Sequence, residues 1–248
     1  MCTEQGLSHL YSKLTIISGE NYLIIENTSI LTAREIRQFI LYVINHPAYE
    51  HINSIEFLID KSLENELNSF LHTYDFHMTD QLVRVEKRLD GQGRSVKDSP
   101  YQYKNLKDLS VQGFKYLWSL SMEGSPNPQS SLNIDEHFQS VKTELGENYE
   151  RSCMAVYENE KPIGVIIPHI EPGTAEEGRL FYFGLSQRER GKGKSGIIHQ
   201  DALDILYKDF RAAYYIGSTS YNNQPMLNTF IKNGCRIKEE LLCYSLTR

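Results

Sequence analysis

The chain of 248 residues carries 26 Lys and Arg against 32 Asp and Glu, a formal net charge of −6, with 40% hydrophobic and 23% charged residues. This composition is ordinary for a globular protein, and the length suffices for one large or two small cores. The acidic balance argues against a general nucleic-acid binder, whose footprint is basic, and no apolar run approaches the roughly 18 residues of a membrane helix.

In chain order, "KLTIIS" and "NYLIIE" read as short strands joined at Gly19–Glu20, a hairpin signal. "TAREIRQFILYVINH" reads as a helix with Thr32 as N-cap and Ile36, Ile40 and Val43 at helical spacing. "SIEFLI" is a strand. "SLENELNSFLHTY" is a helix with Leu63, Leu67, Phe70 and Leu71 on one face, and "QLVRVEKRL" closes the segment as a strand. The polar Gly-, Ser- and Pro-rich stretch "DGQGRSVKDSP" (90–100) reads as a linker. Beyond it come a strand ("YQYKNL"), a helix ("SVQGFKYLWSLSM"), a turn-rich break ("EGSPNPQSS") and a helix ("NIDEHFQSVKTEL"). Three strands follow: "CMAVYEN", "PIGVIIPHI" and "RLFYFGLS". A glycine-rich basic loop leads into a helix ending at Phe210, then the strand "AAYYIGST", the short helix "QPMLNTFIKNG" and a final pair of strands, "CRIKEE" and "LLCYSLT". The expected fold class is mixed α/β, with two domains at 1–93 and 100–248.

The N-terminal "MCTEQGLSHLYSKLTIISGE" lacks a basic region followed by an apolar core, so no signal peptide is expected. Cys2, Cys153, Cys235 and Cys243 form no CxxC pair and read as reduced thiols of a cytoplasmic protein. Eight histidines offer no HExxH, and no metal site is expected from spacing.

The loop "QRERGKGKSG" concentrates Arg188, Arg190, Lys192 and Lys194 with glycines between a strand and a helix, an arrangement suited to an anion. Gly193–Lys194–Ser195 resembles the end of a P-loop, but Arg188 stands where that motif needs its first glycine. Arg188-Glu189-Arg190-Gly191-Lys192-Gly193 satisfies [RQ]-x-x-G-x-[GA] instead. The bland reading is a solvated basic turn before a helix. The context goes further: the preceding strand has an apolar run, Leu180 to Phe183, and Ile198, Ala202, Leu206 and Phe210 repeat along the helix.

At this loop the sequence resembles the GNAT family of acetyl-CoA-dependent N-acetyltransferases. A second match follows the next strand, where Asn223, Met226, Lys232 and Gly234 fall at the spacing of the family's N-x-x-[AM]-x-x-x-Y-x-K-x-G-F pattern. Two positions depart from it: the usual Tyr is Phe230 and the usual final Phe is Cys235. The resemblance covers about residues 100–248. It implies a GNAT-like central mixed, mostly antiparallel sheet flanked by helices, beside a smaller N-terminal α/β domain.

It also implies acetyl-CoA (coenzyme A) as cofactor, held by Leu185, Arg188, Glu189, Arg190, Gly191, Lys192, Gly193, Lys194, Ser195 and Asn223. The strands on either side of the loop and helix would splay to admit the pantetheine arm. The backbone N–H of Leu185 would hold the thioester oxygen, and Glu177 would accept the amine proton. Glu176 and Glu177 also read as solvated loop residues. His169 and Glu171, at the end of "GVIIPHI", are other candidate bases on the same footing, Tyr221 fits a packing or surface role as well as the cleft, and His199 reads as a surface residue. The expected acceptor is a small-molecule or peptide amine. No nucleic-acid or membrane partner is expected, and a homodimer is left open. The alternative is a non-catalytic acyl-CoA-binding module, which Phe230 and the absence of an evident base allow.

Residues 11–90 resemble the second half of a GNAT fold without a cofactor loop, with Asp75–Phe76 where Gly–Phe is common. An unrelated small α/β domain fits the same elements.

Overall fold

A computed structural model describes residues 10, 11, 13–19, 21–91, 95–128 and 132–248. Glu20 of the expected hairpin turn, the first nine residues and the end of the turn-rich break lie outside the described residues. Internal contacts divide the chain into two units. Unit 1 joins the described residues up to Val83 with Glu239–Arg248, and unit 2 is Arg84–Lys238.

Unit 1 contains strands β1 (Thr15–Ser18), β2 (Tyr22–Glu26) and β3 (Ser54–Asp60), helices α1 (Ala33–Asn45) and α2 (Glu64–Thr73), and parts of β4 (His77–Arg88) and β10 (Arg236–Thr247). Its strand order is β1-β2-β3-β10-β4. The β1/β2 and β3/β10 pairs are antiparallel and β2/β3 is parallel. Thr32 caps α1 as expected, in a reciprocal box with Glu35. Ile36, Phe39, Ile40 and Val43 of α1 pack with Leu67 and Leu71 of α2 against Ile55, Phe57 and Ile59 of β3. After α2 the chain turns through Asp75 at φ 59°, the left-handed conformation that glycine usually supplies, and Phe76 is fully buried. Gly234 makes the same kind of turn in unit 2 at φ 76°.

Unit 2 adds β5 (Tyr101–Asn105), α3 (Val111–Met122), α4 (Ile134–Leu145), β6 (Met154–Glu158), β7 (Lys161–Ile170), β8 (Glu177–Leu185), α5 (Lys194–Asp209), β9 (Tyr214–Ser220) and α6 (Gln224–Lys232). Its strand order is β4-β9-β8-β7-β6-β5. The pairs from β5 to β8 are antiparallel, and β8/β9 is parallel. Helices cover both faces, so the middle of β7 is buried on both sides, with Val165 and Ile167 in one core and Ile163 and Ile166 in the other. Phe114, Leu117, Trp118, Phe138 and Val141 of α3 and α4 pack on Val165 and Ile167. Ile198, Ala202 and Ile205 of α5 pack with Ile166 and Leu185.

Three expectations change. The closing pair of strands is one continuous strand, β10. A one-turn helix, Tyr149–Ser152, precedes β6. The expected division at 90–100 differs from the observed units: the described part of that stretch lies inside unit 2 and is fastened to α5. Val96 N–H donates to Asp204 Oδ2 at 2.8 Å, Ser99 Oγ donates to Asp201, and Tyr103 Oη donates to the same Asp201 oxygen at 2.7 Å. Both acids are buried, and the segment supplies donors to them beside Lys208 of α5, which donates to Asp204 at 2.9 Å.

Candidate active and cofactor site

The site starts from an irregularity in β8. Ile166 pairs with Phe183 and Pro168 with Leu180, so Phe181 and Tyr182 together face Ile167, a β-bulge. A bulge sharpens the local twist, and the pairing of β8 with its parallel neighbour ends shortly before it. The β8/β9 ladder holds only Glu177–Tyr214 and Gly178–Tyr215, although β8 runs on to Leu185 and β9 to Ser220. A V-shaped gap therefore opens towards the C-terminal ends of both strands.

Which groups face the gap follows from the antiparallel register. Ser186 N–H donates to Ile163 O at 2.9 Å, so Gly164–Leu185 and Ile166–Phe183 are non-hydrogen-bonded pairs. The backbone N–H and C=O of Leu185 and Phe183 thus point away from β7, into the gap. The Leu185 carbonyl is already engaged: Arg190 Nε donates to it at 2.9 Å. The ladder offers no partner to the Leu185 N–H or to the Phe183 groups.

The loop at the mouth of the gap has the backbone its glycines predict. Gly191 and Gly193 lie at φ 73° and 74°, and a Cβ at either would meet nothing within 4 Å. These glycines are thus required by backbone conformation and not by crowding. Gly193 is the N-cap of α5 and supplies no side-chain cap, whereas Thr32, Ser110, Asn133 and Asn223 cap α1, α3, α4 and α6. The N–H groups of Lys192, Gly193, Lys194, Ser195 and Gly196 find no acceptor among the described residues. Five donors at the positive end of a 16-residue helix are an arrangement suited to an anion.

The basic side chains are arranged differently from the sequence reading. Glu189 is buried inside the loop and accepts from Lys161 at 2.6 Å, Lys192 at 3.0 Å and Lys194 at 2.8 Å. Lys194 also donates to Glu158 at 2.6 Å. Hydrogen bonds from the three lysines hold the Glu189 carboxyl far below the ordinary range. Glu189 therefore organises the cluster from within and is not placed to meet an anion. Arg190 is a brace: besides Leu185, its guanidinium donates to the carbonyls of Gly124 and Ser121, both at 2.8 Å. Arg188 is exposed.

The remaining candidates spread over the same unit. Ser195 Oγ lies 3.1 Å from Thr229 Oγ1 and ties α5 to α6. The Asn223 side chain caps α6 at Met226 N–H (3.3 Å), and its amide donates to Asn127 at 2.9 Å and Thr219 at 3.1 Å. Glu177 is not a solvated loop residue. It begins β8, accepts from Arg179 Nε at 2.7 Å and from Tyr214 Oη at 3.0 Å, and sits beside the point where the strands part. Glu176 lies just before β8, and Tyr221 is exposed. His169 is buried, with Glu171 3.5 Å away. Burial opposes ionisation of Glu171, but His169, Arg179 and Arg84 together hold its carboxyl below the ordinary value.

His199 overturns the expectation of a surface residue. It has no exposed area, its ring packs edge-on to Phe183, Tyr215 and Phe230, and Nδ1 lies 2.9 Å from Asn233 Nδ2. Burial, with Lys87 adding repulsion, pushes its pKa down to about 3. Phe230 is buried with it. The Phe183 backbone, the Arg190 brace and the Glu158–Lys161 partners of the loop were not identified from sequence; only the alternation along "LFYFGL" carried a signal for the first.

No protein-family model matches the sequence, and no curated protein matches it. Solved structures do match. A GCN5-related N-acetyltransferase from Sphaerobacter thermophilus aligns over 94% of this chain and 76% of its own, with a TM-score of 0.63 at 10% identity. This chain has the GNAT fold. A tandem GNAT protein from the clavulanic acid biosynthesis pathway aligns over 94% of this chain and 78% of its own, with a TM-score of 0.59 at 10% identity. A GCN5-related N-acetyltransferase from Kribbella flavida covers 96% and 91%, with a TM-score of 0.52 at 9% identity. The GNAT likeness thus extends well beyond the segment that carries the sequence motifs. Among the described residues no helix is long and apolar enough to cross a membrane.

Proposed function

We propose that unit 2 is an acetyl-CoA-dependent N-acetyltransferase that acts on a primary amine by direct attack in a ternary complex. The observation that carries this reading is the early end of the β8/β9 pairing, which leaves backbone groups of β8 without a ladder partner, followed in the chain by the N-terminus of α5 with no side-chain cap. The donor set fits coenzyme A. The N–H groups from Lys192 to Gly196 would hold the pyrophosphate, with Arg188 adding exposed positive charge. The gap-facing edge of β8 would hold the pantetheine arm as an added strand. When bound, acetyl-CoA supplies an activated acyl thioester.

Leu185 ends β8, two residues before the short helical turn Gln187–Glu189 that opens the loop, so its N–H would serve the arm near the phosphates. Phe183, next to the bulge, faces the far end of the arm, and its N–H becomes the donor to the carbonyl oxygen where negative charge develops. This reassigns the role given to Leu185 from sequence. The acceptor amine, with a pKa near 10, must lose a proton before attack. Glu177, six residues before Phe183 on β8, is the proposed proton acceptor through intervening water, because it stands at the end of the β8/β9 pairing with Arg179 Nε 2.7 Å from its carboxylate. Phe230 has no proton to give to the departing thiolate.

The test is release of free thiol from acetyl-CoA with a panel of small amines, amino acids and peptides, alongside calorimetric binding of acetyl-CoA. Turnover with at least one amine is expected. Saturable binding with no thiol release on any amine would establish the non-catalytic acyl-CoA-binding module instead, and no binding would refute both.

A further inference from the structure

A cavity of about 670 Å³ lies in unit 2 at the C-terminal end of α5, bounded by Glu144, Arg151, His169, Glu171, Lys208 and Phe210. A helix of 16 residues rises about 24 Å, so this cavity is distinct from the glycine loop at the other end. His169 comes from the end of β7 and Glu171 from two residues on, the spacing that returns a side chain to the same face of a strand. Glu144 comes from the last turn of α4.

The imidazole of His169 is the anomaly. The residue is 4% exposed, and neither ring nitrogen has a hydrogen-bond partner among the described residues. Buried polar groups are rarely left so. Nε2 lies 3.7 Å from Glu144 Oε1 and 3.5 Å from Glu171 Oε2. Both distances exceed the usual N–H···O range. Both are close to the edge of a coordination tetrahedron, about 3.4 Å when bonds to the metal are about 2.1 Å. The three ligand atoms all lie within 4.8 Å of one another.

We propose that Glu144, His169 and Glu171 form a binding site for a divalent cation of the zinc, cobalt and manganese class, with its remaining coordination positions turned to the cavity. The imidazole selects this class over magnesium and calcium, which take oxygen ligands. Two carboxylates and a neutral imidazole compensate the cation's charge. Arg179, 3.2 Å from Glu171, orients that carboxylate from the side. Three protein ligands leave room for water or an anionic ligand.

The full chain is treated with a chelator and titrated with Co(II), followed by visible d–d absorption, and with Zn(II), followed by calorimetry and thermal unfolding. One saturable equivalent is expected, with ligand-field bands of a four- or five-coordinate ion and a rise in melting temperature. Glu144→Gln, at a half-exposed position outside the core, should weaken binding at least about tenfold and abolish the thermal shift. His169→Gln should do the same. The proposal is overturned if the chelated wild type takes up no saturable Co(II) or Zn(II), or if Glu144→Gln and Glu171→Gln bind as the wild type does.

Discussion

Gly193→Val separates a backbone cradle from an electrostatic patch. Gly193 lies at φ 74°, ψ 4°, where a β-branched residue is penalised by about 1–2 kcal/mol. Nothing within 4 Å obstructs a Cβ there, so the penalty is conformational and the substituted loop relaxes to a negative φ. Relaxation re-aims the N–H groups of Lys192 to Lys194. The fold survives, because α5 is anchored along its length by Ile198, Ala202 and Ile205. Binding then has to restore the strained form, and 1–2 kcal/mol corresponds to a loss of about 5- to 30-fold in acetyl-CoA affinity. Gly193→Asn is the control, since Asn tolerates the left-handed region and should stay within about threefold of wild type. Lys192→Ala removes one of three lysines that face Glu189 and should cost less than Gly193→Val. Dephospho-CoA, which keeps the pyrophosphate, should lose as much affinity as acetyl-CoA on the valine change. Calorimetry with both ligands on the four proteins, with circular dichroism to confirm folding, reads the outcome. If Lys192→Ala loses binding while Gly193→Val keeps it, the loop acts through side-chain charge and the cradle is wrong.

Arg190→Gln should lower the unfolding free energy by roughly 2 kcal/mol, because it withdraws a guanidinium from the carbonyls of Leu185, Gly124 and Ser121; urea unfolding at constant m-value checks this. His199 is held neutral, so the unfolded chain binds a proton that the folded chain refuses between the ordinary histidine value and about pH 3. Its contribution is complete above pH 6.5 and is lost as pH falls, by up to about 1.4 kcal/mol per unit. Stability measured against pH should therefore fall less steeply over pH 6–4 in His199→Gln than in wild type; equal slopes refute it. Phe230→Leu should leave the pH profile of turnover unshifted, at a stability loss of about 1 kcal/mol for a changed shape in a packed site; a basic limb displaced by more than about one unit would show that Phe230 shapes the chemistry.

The parts of the molecule that sequence made legible are those whose physics is local. The conformation of the loop could be anticipated because positive φ at Gly191 and Gly193 is a property of those residues. The caps at Thr32 and Asn223 and the apolar stripe of α1 are local in the same sense. Errors arose where a distant segment supplies the partner. The 90–100 stretch has linker composition, yet Asp201 and Asp204 need donors, and Val96 and Ser99 provide them. His199 looked exposed because one helical stripe accounted for the apolar residues of α5, while α6 and β9 enclose the opposite side with Phe230 and Tyr215.

The same distinction explains the site. Four basic side chains in seven residues suggested attraction by charge, but the fold buries Glu189 among them and brings Glu158 from β6, so much of that charge is spent internally. What remains for a ligand is mainly backbone: the N–H groups of the loop and the unpaired edge of β8. Backbone donors carry no residue signature, which lets a chain about 10% identical to solved GNAT structures keep their architecture. The side-chain clusters of unit 2 have the opposite character. Glu177, Arg179 and Tyr214 meet only because two strands pair at their first two positions, and Glu144 reaches His169 from a different helix. Under the proposed function, a specificity built from such meetings would depend on side chains that are far apart in sequence and would be free to diverge while the backbone of the loop persists.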